Sequence, residues 1–225
     1  MPETPTHRIK DHPDWLYLLR EYYDLYRLLP AGGSLRIRAH QRRVRNIISA
    51  GLKANAGILF REPALLPVTA HLRRVLDQGR AEKHAPHIRA IEAVLPALSW
   101  QFGYEKVRKG LEQRYAYAEI AGPNGPIVLD ELILGLVLFA LGCTYPAHAH
   151  DGITESYVCL SGAVSENDQG VYAPGSLIFN PPDHVHRITV SDVEPSLLAY
   201  AWEGPRDKLA GQKMKFTRAS SKPKV

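Results

Sequence analysis

The chain has 225 residues, 45% of them hydrophobic and 23% charged, a composition that excludes disorder of the whole chain. Its formal net charge of +5 is unevenly distributed, with 20 Lys and Arg against 11 Asp and Glu in residues 1–114, 1 against 11 in residues 115–203, and 7 against 1 in residues 204–225. The acidic middle block favours cationic or zwitterionic small molecules over phosphates and nucleic acid as ligands.

Neither a membrane segment nor an oxidising compartment is predicted. The longest apolar stretch, residues 132–143, is too short to span a bilayer. Cys143 and Cys159 are the two cysteines and make no disulfide framework, and no charged-then-apolar leader opens the chain. These features predict a cytoplasmic location.

The N-terminal half predicts helices. Apolar and aromatic residues recur at helical spacing, and the first helix is expected to run from Asp11 to Pro30. A linker follows at residues 31–34, and further helices are predicted over residues 35–54, 67–78 and 85–108, the last interrupted by Pro96. Six histidines of this half are expected to be solvated or to cap helices: His7, His12, His40, His71, His84 and His87.

After Gly110 the pattern changes to short β-rich runs separated by Gly, Pro, Asn and Asp. Strands are predicted over residues 112–120, 126–141, 153–160, 171–180, 184–190 and 195–203. Helices followed by strands predict an α+β fold. We expect a helical N-terminal extension at residues 1–110 that packs on the barrel or on a dimer partner, a β-barrel at residues 111–204, and a basic tail at residues 205–225.

Four residues in the β-rich half are spaced to bind one metal ion. Because strand side chains alternate between faces, His148 and His150 point to the same side of one strand. Glu155 is expected to follow on the paired neighbouring strand after a short turn, and His186 to close the site from a later hairpin. Imidazoles with one carboxylate suit one divalent transition metal ion, such as Fe, Zn, Mn, Ni or Co, with coordination positions left open.

These residues resemble both signature motifs of the cupin superfamily. Gly142, His148, His150, Glu155 and Gly162 fit every position of the first motif, and Gly175, Pro181 and His186 fit the second. The resemblance implies a double-stranded β-helix, or jelly roll, and cupins are often dimers, so a homodimer can form. Asp183 stands where the second motif usually has glycine, and Asp tolerates turn conformations. His184 lies two residues before His186 and is an alternative third imidazole ligand.

Four aromatic residues accompany the ligand motif. Tyr157 shares the strand face of Glu155, and Tyr145 lies three residues before His148. A divalent cation stabilises an ionised phenol, so Tyr157 can act as a base; the alternative is ordinary core packing. Tyr200 and Trp202 share one strand face and either line a cavity or belong to the core.

The ligand run with its tyrosine, together with the Pro181 hairpin and the late Tyr200–Trp202 segment, resembles the cupin dimethylsulfoniopropionate (DMSP) lyases of the DddL and DddQ branch. The resemblance implies β-elimination of DMSP to dimethyl sulfide and acrylate. It implies Tyr157 as the base, with Tyr145 as helper or substrate anchor. His184 and the two late aromatics are expected to bind the zwitterionic sulfonium substrate, the aromatics by cation–π attraction.

Two other functions are compatible with a cupin. The first is a different metal-dependent enzyme, either a dioxygenase or a sugar-type isomerase, because a fold does not fix a function. The second is a ligand-sensing regulator, for which the Arg-rich run at residues 36–45 is the suggestive feature. No helix-turn-helix pattern is present in the first 60 residues, which disfavours the regulator.

Overall fold

The computed structural model describes residues 5–103 and 110–211, together with the backbone of residues 214–216. The helices are α1 Pro13–Leu28, α2 Leu35–Lys53, α3 Leu72–Arg80, α4 Ala85–Val94 and α5 Arg206–Gly211. The strands are β1 His7–Arg8, β2 Gly57–Ile58, β3 Tyr115–Gly122, β4 Ile127–Val128, β5 Leu132–Phe139, β6 Thr144–His150, β7 Thr154–Ser161, β8 Val164–Glu166, β9 Val171–Tyr172, β10 Leu177–Asn180, β11 His186–Val190, β12 Ser196–Glu203 and β13 Met214–Phe216.

Of the four predicted helices, the first two lie where the sequence predicts them, whereas the third and fourth are shorter than predicted. Ser34 caps α2, because its side chain accepts a hydrogen bond from the amide of Ile37 (3.3 Å). The predicted third helix begins as a 3₁₀ turn at Pro67–His71 before α3 starts. The fourth ends at Val94, since Pro96 has no amide hydrogen to continue the helix. Residues 104–108 of that prediction lie outside the described residues.

The strands form two facing sheets, as expected for the predicted double-stranded β-helix, and the barrel they form is not closed. The larger sheet has the order β1-β2-β4-β3-β5-β12-β7-β10, and the smaller has the order β13-β6-β11-β8-β9. The predicted strands at residues 126–141 and 171–180 each divide into two, and β8 was not predicted. The first two strands come from the N-terminal half and extend the larger sheet, so both halves share it; the division at residue 110 stays a prediction.

Alternation along the strands of the larger sheet separates two apolar cores. On β12, Leu197 and Ala199 face the helices, whereas Leu198 and Tyr200 face the smaller sheet. Strand β7 divides its side chains in the same way. The helical segment therefore covers one face of the larger sheet, and the other face borders the space between the two sheets.

Three histidines of the helical half are buried, contrary to expectation. His40 is fully buried on α2, and His84 and His87 are buried at the start of α4. The His87 ring packs edge-on against the ring of Tyr22 (centroids 4.5 Å apart), and burial lowers the pKa of His87 to about 3. His40 and His87 lie on the buried faces of amphipathic helices, which composition alone does not distinguish from solvated faces, and His84 lies at the N-cap position of α4 without a capping hydrogen bond from its side chain.

No helix within the described residues is both long enough and apolar enough to cross a membrane.

We predict that Gly162→Ala destabilises the fold. Gly162 has a φ of +75°, and a Cβ atom there would lie 2.3 Å from the Oγ of Ser196 and 2.4 Å from the carbonyl oxygen of Pro195. We expect the free energy of unfolding, measured by urea denaturation, to fall by about 2 kcal/mol or more. Gly170→Ala is the control, because no atom lies within 4 Å of that site, and it should change stability by less than about 0.5 kcal/mol. Equal effects of the two substitutions would contradict this.

Candidate metal centre and its cavity

Two histidines of the predicted site lie on one strand and a third lies on the strand beside it. His148 and His150 on β6 both point into the space between the sheets and are buried. His186 on β11 pairs directly with His148 across the smaller sheet, and it is fully buried as well. The smaller sheet thus supplies all three imidazoles.

Glu155 reaches the three imidazoles from the opposite sheet. It lies on β7, which pairs with β10 and β12, so the prediction that it sits on a strand paired with that of His150 is wrong. The turn between β6 and β7 carries the chain across to the larger sheet instead of forming a hairpin. One ligand atom from each of the four residues lies within 4.8 Å of the others, and all four side chains are buried.

The structure distinguishes the two candidates for the third imidazole. The Nε2 atom of His186 lies 2.8 Å from a carboxylate oxygen of Glu155, whereas the His184 side chain is exposed. His184 instead orients the His186 ring, because the backbone carbonyl of His184 accepts a hydrogen bond from Nδ1 of His186 (3.1 Å). Asp183 has a φ of +62°, which explains why a residue that tolerates this conformation occupies the position usual for glycine.

Backbone carbonyls orient the imidazole rings. Nδ1 of His148 donates to the carbonyl oxygen of Pro146 (2.9 Å), just as Nδ1 of His186 donates to a backbone carbonyl. In a neutral ring, such a bond places the proton on Nδ1 and leaves the lone pair on Nε2. Burial lowers the pKa of His148 to about 3, helped by the neighbouring imidazoles, so this ring is neutral.

The Glu155 carboxylate is held by two further side chains. Trp202 donates its indole N–H to one oxygen (2.7 Å), and the Asn180 amide donates to the other (3.2 Å). Burial by itself raises the pKa of Glu155, but the charges and hydrogen bonds of His186 and His150 outweigh it and hold this pKa well below its usual range. The same carboxylate raises the pKa of His186 against the effect of burial.

This donor set fits a divalent transition metal ion. Three imidazoles, two of them oriented by backbone carbonyls, and one ionised carboxylate converge in a buried space, and a further pair of hydrogen-bond donors fixes the carboxylate. The donors do not discriminate among Fe, Zn, Mn, Ni and Co, because affinity order alone does not reveal the ion used.

A cavity bordered by aromatic side chains adjoins the four clustered residues. The space enclosed by these side chains is small, about 40 Å³, because the rings lie close together around it. All four aromatics that the sequence singled out line it, and so do four residues that sequence reasoning missed. The first group is Tyr145, Tyr157, Tyr200 and Trp202; the second is Gly103, Tyr115, Tyr117 and Val137. The period-2 spacing of the two missed tyrosines on β3 was the available signal.

The cavity tyrosines are held close together and close to the ligand cluster. Tyr145 stacks on Tyr115 (centroids 4.6 Å apart), and its hydroxyl lies 3.4 Å from that of Tyr115. Burial raises the pKa of Tyr157 well above its usual value, and so do the charge of Glu155 and the hydrogen bond between these two side chains. Tyr200 lies over Gly135 of β5, where a Cβ atom would come within 2.5 Å of its ring.

Comparison with known proteins relates this site to one enzyme family. Residues 40–198 match the family of dimethylsulfoniopropionate lyases. The chain is 50% identical over 210 residues to a Cereibacter sphaeroides protein assigned as the dimethylsulfoniopropionate lyase DddL, with 93% of this chain and 90% of that protein covered.

Two crystal structures share the fold. One is the DMSP lyase DddQ from Ruegeria pomeroyi, with a TM-score of 0.70, 20% identity, and coverage of 94% of this chain and 100% of that one. The other comes from work on the DMSP lyases RdDddP and RnDddQII, with a TM-score of 0.65, 22% identity, and coverage of 92% and 98%. At these identities the likeness concerns the fold, and it confirms the predicted cupin-type α+β architecture.

We predict that divalent ions stabilise the protein through His186 and not through His184. With Co²⁺ at a hundredfold excess over its Kd, we expect the Tm of chelator-treated protein to rise by about 5 °C or more, because the ion binds the folded chain. His186→Ala should abolish this shift in differential scanning fluorimetry. His184→Ala is the matched control and should retain it; loss of the shift in the control alone would reverse the assignment.

Proposed function

The chain belongs to the dimethylsulfoniopropionate lyase family and is a carbon–sulfur lyase, and from this premise we propose that it converts DMSP to dimethyl sulfide and acrylate by β-elimination. One observation carries the proposal beyond family membership. Tyr157 lines the aromatic cavity, shares a face of β7 with Glu155, and lies near His186 (ring centroids 6.3 Å apart), so a phenol oxygen and the clustered ligand residues face the same space.

The two ends of DMSP match the two parts of the site. Its carboxylate would lie toward the group formed by His148, His150, Glu155 and His186, and its sulfonium toward the aromatic rings. A sulfonium is a cation without hydrogen-bond donors, so ring faces suit it better than carboxylates in direct contact. The acidic β-rich half adds a field of the favourable sign.

A divalent ion bound by the four ligand residues would supply positive charge, which stabilises the enolate-like charge on the substrate and favours the ionised form of the nearby phenol.

The proton and the leaving group have separate destinations in this proposal. The phenolate oxygen of Tyr157 takes the proton from the carbon next to the carboxylate. The electrons of that C–H bond form the carbon–carbon double bond of acrylate, and the C–S bond breaks with its electrons retained by neutral dimethyl sulfide. Tyr145, also in the cavity, anchors the substrate or assists the proton transfer.

Family membership favours the lyase over the other functions considered. A dioxygenase would consume oxygen with its substrate, and a sugar-type isomerase would need partners for several hydroxyl groups. Among the described cavity-lining residues, the polar side chains are the five tyrosines and the one tryptophan. The Arg-rich run that suggested a regulator lies within α2, whose buried face packs in the helical core.

We further propose that the protein works in a reducing cytoplasm, alone or as a homodimer, without a nucleic-acid partner. Cys143 and Cys159 are both free and buried, which suits a reducing compartment.

We expect purified protein to release dimethyl sulfide from DMSP, measured in the headspace, and to lose this activity with a chelator. Tyr157→Phe removes the basic oxygen and keeps the ring, so kcat should fall by about 100-fold or more. Tyr172→Phe on β9 makes the same change outside the cavity and should retain wild-type kcat. An active Tyr157→Phe variant would eliminate this tyrosine as the base. If no dimethyl sulfide is released after Fe, Zn, Mn, Ni or Co is added back, and oxygen is consumed when substrate is present, the result would support the dioxygenase function instead.

The sulfonium-binding role of Tyr200 predicts a dependence on its ring. Tyr200→Leu should raise KM by about tenfold, because a desolvated cation–π contact contributes about 1–2 kcal/mol. Tyr200→Phe keeps the ring and should change KM by less than about threefold. Steady-state kinetics on DMSP measures both, and an unaltered KM in Tyr200→Leu would rule out the contact. Trp202 is less suitable for this test because its indole also binds Glu155.

A further inference from the structure

A buried polar cluster lies on the helix side of the larger sheet, behind the metal-ligand group. We define the His40 cluster as Tyr26 of α1, His40 of α2, Ser156 of β7 and Glu203 of β12. His40 is fully buried, its Nδ1 lies 2.9 Å from the Glu203 carboxylate, and its Nε2 lies 2.8 Å from the Ser156 hydroxyl. The Tyr26 hydroxyl lies 2.7 Å from the same serine oxygen.

The order of serine, histidine and carboxylate in this cluster resembles a nucleophilic triad, but the surroundings exclude that role. Ser156 is fully buried, its hydroxyl is hydrogen-bonded on two sides, and it faces the helices instead of the cavity. A nucleophile needs access to a substrate carbon. The role of the cluster is therefore structural, because its groups contact other protein groups and not a substrate.

The position of the cluster along the strands indicates which functional residues it orients. Ser156 directly follows Glu155 on β7, and Glu203 directly follows Trp202 on β12. In the register of these two strands Trp202 pairs with Glu155, and its indole donates to that carboxylate on the cavity side. On the opposite face of the same two strands, His40 contacts Ser156 and Glu203, the residues that follow Glu155 and Trp202 in the chain. One imidazole thus joins both strands where the carboxylate and its donor meet.

We propose that His40 is a positioning residue that fixes the geometry of Glu155 and Trp202 through the two strands. Its rigid ring holds Ser156 and Glu203 at a set separation, and Arg43 binds the outer oxygen of Glu203. Removing the ring takes one hydrogen-bond partner from the Ser156 hydroxyl and one from the Glu203 carboxylate and removes the link between the two strands, so the strand pair readjusts at this point. A small displacement of a ligand or of the adjacent Tyr157 costs metal affinity and rate. The part that concerns catalysis rests on the proposed function.

The test compares His40→Ala with Gln41→Ala. Gln41 is the next residue of α2, is buried, and donates to the carbonyl of Leu29, the residue that follows α1 (3.0 Å). Each variant therefore loses one buried polar side chain of the same helix, and both should be less stable than wild type. We expect only His40→Ala to bind Co²⁺ about tenfold more weakly in competition with a chromophoric chelator, and to alter the visible spectrum of bound Co²⁺. Its kcat for DMSP should fall about tenfold with KM within twofold.

Conservative variants separate the two contacts of the ring. The His40→Asn variant can reproduce the contact of Nδ1 with Glu203, and the His40→Gln variant can reproduce that of Nε2 with Ser156. We expect His40→Asn and His40→Gln to retain Co²⁺ better than His40→Ala and less well than wild type. Co²⁺ affinity, spectrum and kcat indistinguishable from those of Gln41→Ala would overturn the proposal. If His40→Ala does not fold, the same comparison made with the two amide variants decides it.

The readouts also distinguish this proposal from the proposed function. Co²⁺ affinity and spectrum require no substrate, so they test His40 whether or not DMSP is turned over. Wild-type protein that binds Co²⁺ but releases no dimethyl sulfide would refute the lyase activity alone. Unchanged Co²⁺ binding in every position-40 variant of an active enzyme would refute the positioning role alone.

Discussion

An ionised carboxylate buried between two sheets is the constraint on which this site depends. Glu155 is 1% exposed, and a charge removed from water is stable only when other groups compensate it. Three imidazoles of the smaller sheet face it, while Trp202 and Asn180 donate to its oxygens. The compensating groups come from four strands, so the carboxylate fixes how the sheets face each other, and it gives a divalent ion a ready ligand.

Strand alternation lets one sheet serve two purposes. On β7, Glu155 and Tyr157 face the cavity, while Ser156 between them faces the helices. On β12, Tyr200 faces the cavity and Ala199 the helical core. Small residues and hydrogen-bonding groups on the outer face let α1 and α2 approach closely, so helical packing rigidifies the strands that carry the chemistry.

In the proposed function, the aromatic cavity and the ligand group would each bind one end of a zwitterion. Buried phenols next to a carboxylate have pKa values raised well above the usual range, because ionisation would place a second negative charge in a desolvated space. Such a space disfavours further negative charge, and it would suit the two cations of the proposed function, a metal ion among the imidazoles and a sulfonium against the rings. This asymmetry favours an elimination in which a proton leaves one carbon and a neutral thioether leaves the next.

The sequence alone determined the identity of the clustered residues and the order of helices before strands. Motif spacing is local, and period-2 alternation fixes which side chains share a face, so His148, His150, Glu155 and Tyr157 were predicted together. The tertiary structure decided what depends on strand partners. It placed Glu155 on the sheet opposite His150, gave His186 instead of His184 to the cluster, and added Tyr115 and Asn180 around it. It also buried His40 against Ser156 and Glu203, residues 116 and 163 positions away. Such contacts follow from the packing of distant segments, and local spacing carries no information about which segments meet.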